Sequence, residues 1–189
     1  MTSDLAAVVS LLRRHEPRAE PGAEAAMLAE FVPFLATHPD ALWRTCLDGH
    51  VTASAWIVDP ARTAALLLHH RKLGRWLQPG GHVDGEADLA AAARREAEEE
   101  TGAAGLRLVS GEVFDVDRHR IPARGGEPEH WHFDVRFLFE ADPRAPLAAN
   151  GESRGLAWVP LAAVAARNPD ESLARLVRKS VRPPGGPAS

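Results

Sequence analysis

Apolar residues recur at helical spacing twice near the N-terminus, first as Leu5, Val8, Val9 and Leu12, then as Met27, Phe31, Phe34 and Leu35. This spacing predicts helices over residues 4–14 and 22–37, punctuated by Pro17, Pro21 and Pro39. From Gly49 the pattern changes. VTASAWIVD and AALLLHH are short, rich in branched residues and separated by the turn composition DPART, which predicts paired strands. The glycine-rich QPGGHVDGEAD comes next, and then an alanine-rich helix with Asp88 suited to its N-cap and Gly102 to its C-cap. Downstream, LRLVSGEVFDVD and WHFDVRFLFEAD read as strands flanking a polar loop, RIPARGGEPE. LAWVPL starts a last strand before helices near 161–167 and 170–180. Strands on both sides of a central helix imply an α/β fold, a mixed sheet sandwiched between helices.

Composition narrows the function without naming it. The chain has 189 residues, 45% hydrophobic and 25% charged, which suits one domain carrying a helical extension. The expected division is a helical extension over 1–45, the main domain over 46–181 and a disordered tail, RPPGGPAS, over 182–189. No apolar run reaches the roughly 18 residues of a membrane span. The N-terminus has neither the basic stretch nor the small-residue cleavage site of a secretion signal. Cys46 is the single cysteine, so no intrachain disulfide forms and a reducing cytoplasm is expected. A formal charge of -4 gives no reason to expect nucleic-acid or polyanion binding, and residues 4–37 carry no basic recognition stripe. An anionic substrate therefore needs a local positive device.

The candidate chemistry lies in the central helix. At about 100° per residue, Glu96, Glu99 and Glu100 share a sector of roughly 100°, while Glu98 points away. Alone, an EAEEE run is usually a solvated acidic face, and its like charges repel. Carboxylates gathered this way suit a hard cation, Mg²⁺ or Mn²⁺, which keeps several waters and bridges to phosphate oxygens.

The surrounding residues favour the cation. Gly81, Arg95, Glu96, Glu99, Glu100 and Gly102 match six fixed positions of the Nudix signature at its set spacing, an agreement of about 10⁻⁷ per starting position by chance. LLLHHRKLGRWLQPGG and GESRGLAWVPL also resemble the family's flanking strands, so the resemblance covers about residues 49–168. It departs in two ways. The first signature glutamate falls at Ala87, with Glu86 one place early, and the two bulky aliphatic positions hold Ala97 and Ala103.

The resemblance implies a Nudix-type α/β/α sandwich. It also implies divalent-metal-dependent hydrolysis of a diphosphate linkage in a nucleoside diphosphate joined to another moiety. Glu99 and Glu100 are expected as metal ligands, Glu96 as a third ligand or the acceptor of the water's proton, Glu152 as an additional carboxylate, and Arg95 as an orienting group. Arg71, Lys72 and Arg75 lie before the glycine turn, where a guanidinium fits phosphate, and Gly81 and His82 lie within it. EHWHFDVRF alternates, placing His130, His132 and Asp134 on one side of a strand, to line a substrate cleft or bind a transition metal. Trp76 and Trp131 are expected in packing more than in base stacking, and Cys46 as an inert thiol. Two other outcomes of the same fold are a non-catalytic nucleotide sensor and an isoprenoid diphosphate isomerase, which would need a cysteine near the glycine turn. The N-terminal helices are expected on the side of the domain or at a homodimer contact.

Overall fold

The computed structural model describes residues 2–181, so the tail expected over 182–189 lies outside the described residues. In chain order the elements are α1 (Ser3–His15), α2 (Ala23–Thr37), β1 (Gly49–Val58), β2 (Ala64–His70), β3 (Arg75–Leu77), β4 (Gly80–His82) and α3 (Leu89–Thr101). They continue with β5 (Arg107–Leu108), β6 (Asp115–Ile121), β7 (His130–Glu140), β8 (Ser153–Pro160), α4 (Val164–Arg167) and α5 (Glu171–Ser180). The expected caps of α3 are present. Asp88 accepts the Ala91 N–H at 3.0 Å, and Gly102 closes the helix at φ 63°, a left-handed conformation that costs a glycine little.

All eight strands join one mixed sheet. β1 and β7 run parallel at its centre, in register from Gly49↔Trp131 to Val58↔Glu140. The other edge of β1 is divided between β4, opposite Thr52 to Ser54, and β2, opposite Val58. β1 therefore holds the glycine turn directly against the sheet.

Side chains alternate across these strands and separate two cores. On one face, Val51, Ala53, Ala55 and Ile57 of β1 and Phe133, Val135, Phe137 and Phe139 of β7 form a cluster with residues of α1, α2 and α3. On the other, Trp56, Val58, Leu67, Leu138 and Val159 pack with Leu173 and Leu176 of α5. The architecture is the expected α/β/α sandwich with N-terminal helices. Those helices complete the layer begun by α3, because Leu5, Leu12 and Phe31 are buried in the same cluster as Leu89, Ala93 and Ala97.

Two expectations need correction. The strand read over 106–117 is only Arg107–Leu108, after which a turn intervenes, and β6 starts at Asp115. β6 then runs to Ile121, inside the expected polar loop, because its ladder with β7 continues from Asp115↔Arg136 to Ile121↔His130. Pairing outweighs the polarity of RHR. The glycine-rich segment likewise contains a short strand, β4, since β1 supplies its partners.

Candidate active site

The glycine turn and α3 meet at very close range. Gly80 donates its N–H to Glu100 Oε2 at 2.9 Å. A Cβ on Gly81 would stand 2.6 Å from Glu96 Cδ, and one on Gly80 would stand 2.7 Å from Ser54 Cα. Only residues without a side chain allow this approach. Beneath them, Ala92, Ala93 and Ala97 of α3 share a core with Ala53 and Ala55 of β1. Ala97 is fully buried there, so small residues at the aliphatic signature positions fit a helix seated tightly on its strand.

Arg95 ties the site together. Its Nη1 donates to Glu96 Oε1 at 2.5 Å and its Nη2 to the His82 carbonyl at 3.1 Å. The same guanidinium lies 3.9 Å from Glu99 and 3.9 Å from Glu86. Glu86 thus reaches the loop-to-helix junction from its displaced position, through Arg95.

Burial and like charge make this an electrostatically demanding place. Glu100 is only 7% exposed, and burial pushes its carboxyl up to about 7; the charges of Glu96, Glu152 and Glu99 act in the same direction, and the Gly80 N–H opposes them. Glu96 is also raised, by burial first, with Arg95 pulling it back. Glu152 enters the same field from the loop before β8, and its carbonyl accepts the Arg71 N–H at 2.8 Å.

The remaining sequence-predicted residues divide. His82 and His132 stand in one cluster with His50, their ring centres 5.0 Å and 4.7 Å from that of His50. Arg71 and Lys72 are exposed at the β2–β3 hairpin, whereas Arg75 lies 4.0 Å from Asp170 at the start of α5. Trp76 stacks on His69, and Trp131 carries Arg118 over its ring at 4.3 Å, so both rings are occupied within the fold. Cys46 is buried, and burial first, then Asp40, raises its thiol to about 11, as an inert residue requires.

Sequence reasoning missed a buried ionic network under the turn. Arg175 of α5 donates to Asp115 at 2.8 and 2.9 Å and to Asp117 at 3.0 Å. Arg136 joins Asp115 to Asp134 at 3.2 and 2.8 Å, and Asp134 accepts from Thr52 and Ser54 at 3.0 and 2.8 Å. Ser54 is the residue paired with Gly80. Lys179 extends the network to Glu24 of α2, which also contacts His15 at 2.7 Å. Although burial alone would raise it, these partners hold Glu24 at about 2, below the ordinary 4.5. The missed signal was the alternation of DVDRHRI, which puts Asp115, Asp117 and His119 on the same side as His132, Asp134 and Arg136.

Comparison with known proteins agrees with this architecture. The family model described as NUDIX domain matches residues 48–179. A C. elegans Ap4A hydrolase binary complex is 22% identical, with 68% of this chain and 93% of that chain covered and a TM-score of 0.55. The E. coli dihydroneopterin triphosphate pyrophosphohydrolase is 17% identical, covering 68% of this chain and 92% of that one, with a TM-score of 0.54. The NUDIX domain of Shewanella oneidensis NrtR complexed with ADP ribose is 17% identical, covering 78% and 94%, with a TM-score of 0.50. No curated protein matches the sequence. Likenesses at these identities establish the fold, and the family match over residues 48–179 establishes that this chain belongs to the NUDIX domain family.

Proposed function

We propose that the chain is a divalent-metal-dependent hydrolase that uses water to cleave the diphosphate linkage of a nucleoside diphosphate joined to another moiety. One observation carries the reading: Glu96, Glu99 and Glu100 share a face of α3 that Gly80 and Arg95 fasten to the glycine turn. The donors are all oxygens, and Glu100 is raised by burial first and further by Glu96, Glu152 and Glu99, against the Gly80 N–H. Such a set fits Mg²⁺ or Mn²⁺. Glu99 and Glu100 are assigned as ligands, Glu96 as a third ligand or the group that takes the water's proton, and Glu152 as a further carboxylate. When bound, the ion supplies neutralisation of the diphosphate and acidification of a water.

The chain's own groups do the rest. Arg95 holds Glu96 in one orientation while anchoring the turn through His82. Gly81 lets the backbone come close to Glu96 and so to the diphosphate. Arg71 and Arg75 on the hairpin, with His82 and His132 of the histidine cluster, are assigned to the substrate's phosphates and to the group they carry. The partner is a small diphosphate compound. A cytoplasmic location belongs to the proposal and is supported by the unpaired Cys46; among the described residues, no helix is long and apolar enough to cross a membrane.

The test is release of phosphate or mononucleotide from nucleoside triphosphates, ADP-ribose, nucleotide sugars and Ap4A with Mg²⁺, repeated with Glu100→Gln. Turnover of at least one class, abolished in the variant, is expected. Tight binding of one compound with turnover of none would overturn the enzyme reading and favour a nucleotide sensor on the same fold.

A further inference from the structure

Three histidines outside the glutamate face converge in a way that a cleft wall does not require. His50 of β1 is directly paired in register with His132 of β7, and His130 projects to the same side two residues earlier. A ring nitrogen from each lies within 4.8 Å of the other two. His50 and His132 lie within the β1–β7 register and His130 is paired with Ile121 of β6, so these positions are fixed by strand pairing rather than by a loop.

Tautomers follow from the carbonyls nearby, which can only accept. His130 Nδ1 donates to the Pro128 carbonyl at 2.9 Å, which leaves its Nε2 as a bare lone pair. His50 Nδ1 faces the Cys46 carbonyl at 3.5 Å, so its Nε2 is also a lone pair; that atom is buried and has no partner among the described residues, in a residue only 3% exposed. Buried acceptors are rarely left unmet, and an unmet one calls for an explanation. His130 Nε2 and His132 Nε2 are 3.3 Å apart. A hydrogen bond from His132 to His130 would account for that pair but would leave His50 unexplained. A cation fits the His130–His132 separation, since two nitrogens about 2.0–2.1 Å from a tetrahedral Zn²⁺ stand roughly 3.3 Å apart, and it would give the unmet His50 Nε2 a partner after a small inward shift.

We propose that His50, His130 and His132 form a second metal site, selective for a transition metal such as Zn²⁺ and separate from the glutamate face of α3. The ligand chemistry divides the two: imidazole prefers Zn²⁺, Co²⁺, Ni²⁺ or Cu²⁺, whereas the carboxylates prefer Mg²⁺ or Mn²⁺. The carbonyls of Pro128 and Cys46 play the part that outer hydrogen-bond acceptors play around metal-bound histidine, fixing ring orientation. Three protein ligands leave a fourth position for water or a substrate oxygen, and His82 of the glycine turn adjoins the cluster, its ring centred 5.0 Å from that of His50.

The experiment is titration of the chelator-stripped, untagged full chain with Co²⁺, followed by visible absorption, and then displacement by Zn²⁺ with stoichiometry from elemental analysis. One equivalent of Co²⁺ with a four-coordinate spectrum, displaced by Zn²⁺ and undisturbed by Glu99→Gln, is the expected result. His50→Gln and His130→Ala should each weaken binding by more than about 100-fold, beyond what loss of a merely supporting residue costs. Circular dichroism checks folding, and if the buried His50→Gln does not fold, the half-exposed His130→Ala carries the test. Failure of the wild-type chain to bind Co²⁺ stoichiometrically would overturn the proposal. So would a spectrum that survives His130→Ala or disappears in Glu99→Gln, which would assign the ion to the glutamates.

Discussion

At the scale of single residues, the site is organised by what Arg95 and two glycines permit. Arg95 contacts Glu96, lies 3.9 Å from both Glu99 and Glu86, and donates to the His82 carbonyl, so it links the carboxylate face to the turn. Among the described residues, the Glu86 carboxylate meets the site through that guanidinium, whereas Glu99 lies on the carboxylate face itself. Glu86→Gln should therefore lower Mg²⁺-dependent turnover by about tenfold or less, the low end for a supporting group, and Glu99→Gln by more than about 100-fold. Equal losses in a kcat/KM comparison would place Glu86 among the ligands. Gly81→Ala tests the close approach. Its methyl group would collide with the Glu96 carboxylate, so activity should fall by about 100-fold or more while thermal stability changes by only a few degrees. Retained activity would show that the turn yields without disturbing Glu96.

At the scale of elements, α5 supports the glycine turn through a relay of ion pairs and hydrogen bonds. Its Arg175 grips Asp115 and Asp117, Arg136 carries the connection to Asp134, and Asp134 fixes Ser54 beside Gly80. Removing one member of a buried, fully paired network leaves charges uncompensated, at a cost of about 3–5 kcal/mol. Arg175→Met should show a loss of that size in denaturant unfolding, and a change under about 1 kcal/mol would mean the network is energetically idle. These elements also show what the sequence could reveal. α3 was readable because composition, caps and the charged face at Glu96, Glu99 and Glu100 all lie within one short segment. The extension of β6 through Arg118 to Ile121 was not, since it depends on a ladder with β7. His50 was missed for the same reason: on β1 it is one of three polar residues alternating with apolar ones, with Thr52 and Ser54, and only the parallel register brings it to His132.

At the scale of the whole molecule, the helices before residue 45 belong to the core on which α3 and its carboxylate face are seated. Phe31 packs on Phe133 with ring centres 5.0 Å apart, and Glu24 joins α2 to α5 through Lys179. Deleting residues 1–38 should expose the Phe133 and Phe137 face and abolish cooperative unfolding; a soluble truncated chain with intact turnover would contradict this. Glu24 also makes stability depend on acid. Its folded pKa lies near 2, below the ordinary 4.5, so its contribution is complete above about pH 4.5 and is lost as pH falls towards 2. That contribution amounts to up to about 3 kcal/mol. Glu24→Gln should flatten the stability profile in that window, and an unchanged acid limb would remove Glu24 from the account. The central claim is that the carboxylates of α3 perform metal-dependent hydrolysis. It is tested most directly by turnover of the best diphosphate compound as Mg²⁺ is varied, for the wild-type chain and Glu99→Gln side by side. The account predicts no turnover without the ion, saturation as it is added, and a loss of more than about 100-fold in the variant. Turnover that persists in excess chelator, or that survives Glu99→Gln undiminished, would contradict it.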